Sequence, residues 1–359
     1  MKKLIVHVGP GKCGSTSIQG FLGRLSQRLR GRIGYIHLHP ANFRGVYREA
    51  PEEPVLKSFS DVLVGQFGKC DTLILSHEYL FDCPHAIKNI CQVASALISD
   101  ILVIGYARKQ SDFMVSVYSQ WLFRSRSRVK EVTDVVQGYG LNPALFDGLE
   151  RHLIASVIDD FYSTRQLSNK IIHDWFESYH YLSSILSETG AIVKCRLLPN
   201  KNYSFSLIED FCETSGLEIT YDSSREIKNN NSFNGEIIEA INVAVALGLD
   251  MPGAHSRNKD IIALSELVGS ESAGLSRIVL DMKDYIDGYY LKSNFMLCDE
   301  YGFDKNYFEA VRILSKSDVL GLIVEESSRR ASDSSYVLNR YRSVLSNMSK
   351  VCFDLISEE

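Results

Sequence analysis

The sequence has no long apolar run, no Cys-x-x-Cys pair, only 8 prolines and no excess of positive charge, and each absence closes off a class of protein. No stretch approaches the roughly 20 apolar residues of a membrane-spanning helix. After Lys2 and Lys3 comes only the short run Leu4-Ile5-Val6-His7-Val8 before Gly9-Pro10-Gly11, too short for the core of a secretory signal. A cytoplasmic protein with no membrane span is the expectation. A formal net charge of -5 gives no reason to expect a nucleic-acid partner, though it leaves room for a local basic patch. The eight cysteines are Cys13, Cys70, Cys83, Cys91, Cys195, Cys212, Cys298 and Cys352, and their spacing matches no zinc ligand set. Free, mostly buried thiols are expected instead.

What is present is alternation. Apolar runs at Leu4–Val8, Gly34–Leu38, Thr72–Ser76, Ile101–Ala107 and Ile192–Leu198 read as strands. Between them lie helical patterns: Ile18, Phe21, Leu22, Leu25 and Leu29; Pro84–Ser99; residues 111–124; and Ser206–Ser215, closed by Gly216. Strands alternating with helices predict an α/β fold on a parallel sheet. Residues 40–58, with Pro40, Pro51 and Pro54, read as an irregular excursion. A polar stretch over 223–235 is a loop or boundary, and the pattern beyond it is helical at Ile237–Leu249, Gly274–Ile286, Tyr307–Lys316 and Val337–Met348. The chain of 359 residues therefore reads as an α/β core over 1–222 and a mostly helical region over 223–359.

The most informative segment is Gly9-Pro10-Gly11-Lys12-Cys13-Gly14-Ser15-Thr16-Ser17, which follows the first strand and opens the first helix. A strand, a Gly-rich turn and a helix N-terminus make a phosphate cradle: backbone N–H groups point at the ligand and the helix dipole favours negative charge. A nucleoside-triphosphate loop reads G-x-x-x-x-G-K-[ST]. Gly9 and Gly14 have that glycine spacing, but Ser15 stands where the lysine belongs, and the lysine is Lys12. Cys13, at a helix N-terminus, would have a lowered pKa there, although a small filler is the plainer role.

From His7 to Gln19 the segment resembles the loop H-x-G-x-x-K-x-G-[ST]-[ST]-S-[IL]-Q of bacterial sulfotransferases that use 3′-phosphoadenosine 5′-phosphosulfate (PAPS). The resemblance covers about residues 1–220 and implies a P-loop-type, three-layer fold around the parallel sheet. It implies a nucleotide site of Gly11, Lys12, Cys13, Gly14, Ser15, Thr16 and Ser17. It also implies a 3′-phosphate pair, an Arg at a strand end and a Ser eight residues on, which here are Arg108 and Ser116. Alone, each would be an ordinary surface residue; guanidinium and hydroxyl together supply the donors a phosphate needs.

The family's catalytic base lies near the end of the strand before that pair. Ser76-His77-Glu78 fits the bacterial Ser-x-Glu pattern, which favours Glu78; His77 fits the Thr-His of cytosolic members and is the other candidate. Lys12 would be the catalytic cation on the bridging oxygen, helped by the hydroxyls of Ser15 and Thr16, and no metal is required. His37 and His39 are lesser candidates. The basic run Arg124–Lys130 reads as a solvated helix end or a grip on an anionic acceptor. Asn231-Ser232 resembles an element that closes over the nucleotide. Asp174-Trp175-Phe176 and Cys195–Pro199 resemble scaffold stretches, with Trp175 in the core. The activity implied is transfer of a sulfuryl group to a hydroxyl of a carbohydrate or polysaccharide; a lipid or natural-product acceptor is the variant. An atypical kinase and a non-catalytic nucleotide-binding scaffold are the other readings. Neither the acceptor nor the oligomeric state is written in these motifs.

Overall fold

A computed structural model describes residues 2–29, 31–159, 174–199, 206–219, 233, 235–248, 261, 274–342 and 344–346. In chain order its elements are β1 (Lys3–His7), α1 (Ser15–Arg28), β2 (Ile33–His37), α2 (Glu53–Phe67), β3 (Thr72–Ser76), α3 (Pro84–Ser95), β4 (Asp100–Ala107), α4 (Gln110–Tyr118), α5 (Arg126–Gly138), α6 (Gly148–Ile158), α7 (Trp175–Leu186), β5 (Ile192–Leu197), α8 (Leu207–Ser215), α9 (Gly235–Ala246), α10 (Arg277–Tyr301) and α11 (Lys316–Ser332). The chain forms two compact units, each discontinuous in sequence. The first takes Met1–Arg108, Asp174–Asn230 and Ser293–Lys305; the second takes Lys109–His173, Asn231–Lys292 and Asn306–Glu359. The expected boundary near 222 and the pair Asn231-Ser232 lie outside the described residues, as does Cys352.

The first unit is built on a parallel sheet of order β2-β3-β1-β4-β5. The chain is thus α/β with a five-stranded, all-parallel central sheet. β1 lies at its centre, and Leu4, Ile5 and Val6 are fully buried. Such near-continuous apolar strands are what a sheet covered on both faces demands. The order also reverses there. From β1 the chain runs outward to β2, and from β4 it runs to β5 on the other side. The switch point is therefore between the carboxyl ends of β1 and β4, the place where open α/β sheets hold ligands.

The second unit is helical. Met114, Val132, Val136, Phe146, Leu153, Ile154, Met282, Ile286, Val319 and Ile323 belong to one apolar cluster. Threaded through it are buried charges. Arg330 pairs with Glu150 at 2.6 Å and also donates to the Leu145 carbonyl at 2.8 Å. Arg340 pairs with Glu239, whose carboxylate accepts from the Gly148 N–H at 2.7 Å. Asp147 and Glu150 cap α6 reciprocally.

Several local expectations are corrected. Residues 53–58 are not irregular but open α2, because Pro54 falls in its first turn, where the missing N–H has no helical partner anyway. Phe59, Leu63 and Phe67 then share its buried face. The helix read over 111–124 ends at Tyr118, and Arg126 starts a new one. The helix read over Tyr307–Lys316 is absent over 308–315, where Val311 and Ile313 are exposed. The helix begins after them, where Ser315 and Asp318 form a capping box. The helix read over Gly274–Ile286 runs on to Tyr301. No helix of the described residues is long and apolar enough to cross a membrane.

Candidate functional site

The first unit presents the Gly9–Ser17 loop at the carboxyl end of β1. The loop is tied at both ends. The Val8 N–H donates to the Ile104 carbonyl of β4 at 2.8 Å. Inside the turn the Cys13 N–H and the Ser15 hydroxyl both donate to the Pro10 carbonyl, at 3.2 and 3.0 Å. Ser15 is thus turned inward and buried, while Thr16 is exposed and Ser17 half-buried. Ser17 and Ile18 donate to the Gly14 carbonyl. The first turn of α1 leaves N–H groups with no intrahelical partner, so they face whatever the loop encloses.

Two backbone positions carry the loop's shape. Gly14 has φ 84°, a left-handed conformation that favours glycine, and a Cβ there would push against the end of the Leu207 side chain. Lys12 has φ 68° and is the one non-glycine residue with positive φ among the described residues. That conformation costs an L-residue about 1–2 kcal/mol, and such strain collects at ligand clamps.

Arg108 follows β4, across the switch point. Its Nη1 donates to the Lys12 carbonyl at 3.0 Å, and its own carbonyl accepts from Trp175 Nε1 at 2.7 Å. The structure therefore ties Arg108 to the backbone of the loop at Lys12, two positions that the motifs set about a hundred residues apart. A guanidinium has five N–H donors, so one bond to Lys12 leaves others for a ligand. Trp175 is fully buried and acts as scaffold. So does Arg196, whose Nε donates to Asp210 at 3.0 Å while Tyr106 donates to the same carboxylate at 2.8 Å. Ser116 lies half-buried on α4 of the second unit.

Cys13 does not have the activated thiol its position suggested. It is fully buried, and burial pushes its pKa up to about 12, outweighing the pull of Arg108 and Lys12. Inside the loop it is a small apolar filler.

Beneath the loop lies a network that sequence reasoning did not assign. His7 Nδ1 and Ser76 Oγ are 2.8 Å apart, and Gln19 Nε2 donates to the same hydroxyl at 3.3 Å. It joins β1, β3 and α1. His7 is fully buried, and burial alone lowers its pKa to about 3, so the ring is neutral. Its Nε2 lies 2.8 Å from where a Cβ on Gly9 would sit, so the loop packs directly on the imidazole. The signal was in plain view: His7 and Gln19 bracket the loop motif.

One strand over, His77 and Glu78 follow β3. His77 is buried and caps a short 3-10 turn, Glu78–Leu80, by accepting the Tyr79 N–H on Nδ1 at 3.1 Å. With Nδ1 occupied as acceptor, the proton of the neutral ring belongs on Nε2. Burial, then the neighbouring His37 and His39, lower its pKa to about 4. A weakly basic ring with no open lone pair is a poor proton acceptor and a good N–H donor. Glu78 is half-buried beside it.

The basic run is neither a solvated end nor an open anionic grip at two of its residues. Arg124 and Arg128 are both only 8% exposed, and Arg128 pairs with Glu131 at 3.2 Å. Among the described residues no group of three or more His, Cys, Asp or Glu is placed to hold a metal ion. Compared with protein-family profiles, curated proteins and solved structures, the chain matches none of them.

Proposed function

We propose that this protein is a PAPS-dependent sulfotransferase, with a P-loop-type nucleotide site in its first unit, acting on a hydroxyl of a carbohydrate. The observation that carries the reading is the bond from Arg108 to the Lys12 carbonyl across the sheet's switch point. It ties the strand-end arginine to the backbone of the loop at its lysine, which supports a single site using both residues. A γ-phosphate ligand would need the lysine after Gly14, where Ser15 stands. The left-handed Lys12 adds support, because the loop holds that residue in a costly conformation.

In this reading Lys12 and the N–H groups at the start of α1 face the 5′-phosphosulfate. Arg108 takes the 3′-phosphate. The acceptor oxygen attacks sulfur in line. The bond from sulfur to the bridging oxygen breaks, and 3′-phosphoadenosine 5′-phosphate leaves. Lys12 offsets the charge that grows on the bridging oxygen; a donor of this kind is worth about 3 kcal/mol in the transition state. The acceptor's proton passes to the Glu78 carboxylate. His77, with its proton on Nε2, serves as a donor that helps to hold the acceptor oxygen. The chemistry needs no metal.

The test is transfer of labelled sulfate from PAPS to a panel of oligosaccharides, lipids and phenols. Label on a sugar hydroxyl supports the reading; label on a lipid or phenol moves the acceptor class. Tight binding of the nucleotide with no transfer to any acceptor would favour a scaffold on the same fold.

A further inference from the structure

The carboxyl ends of β2 and β3 hold a group of rings that the nucleotide site leaves unused. His37 ends β2 and pairs in register with Ser76, the last residue of β3. His77 stacks on His37, with ring centroids 4.9 Å apart, and on Tyr79 at 5.3 Å. His39 meets His77 edge-on at 5.3 Å. His77 is the buried floor of this group; His37, His39 and Tyr79 are its exposed rim.

The hydrogen bonds fix what the rim offers. The Ala41 N–H donates to His39 Nδ1 at 3.2 Å, as Tyr79 N–H does to His77 Nδ1. Both rings therefore carry their proton on Nε2 when neutral, and both present an N–H donor. Glu78, next in the chain to His77, is a carboxylate acceptor. Burial, then His39, hold His37 below its ordinary pKa, and the negative charge of Glu78 opposes them.

We infer that the His37, His39, His77 and Tyr79 rings form the acceptor subsite, and that the acceptor is an uncharged sugar unit whose ring packs on this aromatic rim. The inference rests on the sulfotransferase reading. Flat faces suit the C–H side of a pyranose, and N–H donors beside a carboxylate acceptor suit hydroxyl groups, which accept and donate at once. A uronate or sulfated unit would meet the Glu78 carboxylate, which already acts on His37 as a negative charge. The site also adjoins the proposed base, so a hydroxyl bound here lies on the path of proton removal.

The experiment compares wild type with His37→Ala/Tyr79→Ala and with His39→Ala. Each is given labelled PAPS and matched neutral and uronate-bearing oligosaccharides. 3′-Phosphoadenosine 5′-phosphate affinity is measured separately by calorimetry, and folding by circular dichroism. The inference predicts transfer to the neutral sugars, an acceptor KM raised about tenfold in the double variant, equivalent to roughly 1.4 kcal/mol, and unchanged nucleotide affinity. Transfer confined to anionic sugars, or an acceptor KM that the variants leave alone, would overturn it while the donor reading stands. Failure of the wild type to bind the nucleotide would overturn both.

Discussion

Each unit of this protein buries a neutral histidine completely, and the two are embedded differently. His7 of the first unit sits under a loop, bonded to Ser76, among residues that bracket a single motif. His152 of the second unit is buried against Tyr118, with ring centroids 5.4 Å apart, inside a helical core that also holds Arg330–Glu150 and Arg340–Glu239. In the first unit polar groups gather at the carboxyl edge of a sheet whose interior is apolar. In the second they run through the core as paired charges. The contrast separates two uses of buried polarity. One supports the backbone of a loop from beneath; the other cross-links helices.

The largest effect that would sharpen this contrast is in the second unit. Arg330→Met leaves the Glu150 carboxylate buried without its cation, and removal of one partner from such a pair costs about 3–5 kcal/mol. Thermal or denaturant unfolding should show it. A loss under about 1 kcal/mol, the range of exposed pairs, would mean that the pair is not the cross-link described.

The first unit should respond in the opposite sense. Lys12→Ala is expected to lower turnover by about a hundredfold or more through the lost transition-state donor, with little change in melting temperature. Lys12→Gly relieves the positive φ, so it should melt no lower than wild type and still be inactive. Glu78→Gln should lower turnover and leave nucleotide affinity intact. Full activity in Glu78→Gln, with loss in His77→Ala, would reverse the assignment of the base.

Acid tests both units at once. Burial lowers His7 and His152 to about 3 from an ordinary 6.5, with Arg128 adding to the effect on His152. Above pH 6.5 neither ring is protonated in the folded or the unfolded chain, and their contribution to stability is fully present. As the pH falls below 6.5 the unfolded chain binds protons that the folded chain refuses. Stability then declines until about pH 3, by about 1.4 kcal/mol for each ring with every pH unit. A His7→Phe/His152→Phe variant that still folds should show a flatter stability profile over that range, measured by denaturant titration. An unchanged slope would contradict the burial argument.

The smallest expected effect is at Cys13. With its thiol raised to about 12 and fully buried, the native protein should leave Cys13 unmodified by iodoacetamide at about pH 8, below even an ordinary thiol pKa, read by peptide mass mapping. Rapid labelling would restore the activated thiol that the structure argues against.

The same contrast explains what could be read before the structure. The sheet strands and the loop were legible because each is local: an apolar run, then Gly9 to Gly14, then α1, all within one stretch of chain. Arg108, the residue after an apolar strand, was singled out only by the resemblance, since nothing about it alone marks a site. The helices of the second unit were read poorly. Their start signals were present, as Asp147 with Glu150 and Ser315 with Asp318, yet the helical pattern was read over Tyr307–Lys316, ahead of the second cap. The ion pairs were invisible, since Arg330 and Glu150 are 180 residues apart and nothing local marks either. At the candidate site the ring group was hidden for a related reason. His37 and His77 meet only because β2 and β3 pair in register, which no single segment states.

The central claim is that Lys12 and Arg108 form one nucleotide site with a 3′-phosphate at the arginine. Calorimetry of wild type and Arg108→Ala with 3′-phosphoadenosine 5′-phosphate, ATP and Mg-ATP tests it most directly. The wild type is expected to prefer 3′-phosphoadenosine 5′-phosphate, and Arg108→Ala to lose most of that preference. Tighter binding of ATP or Mg-ATP, or a preference that survives in Arg108→Ala, would contradict it.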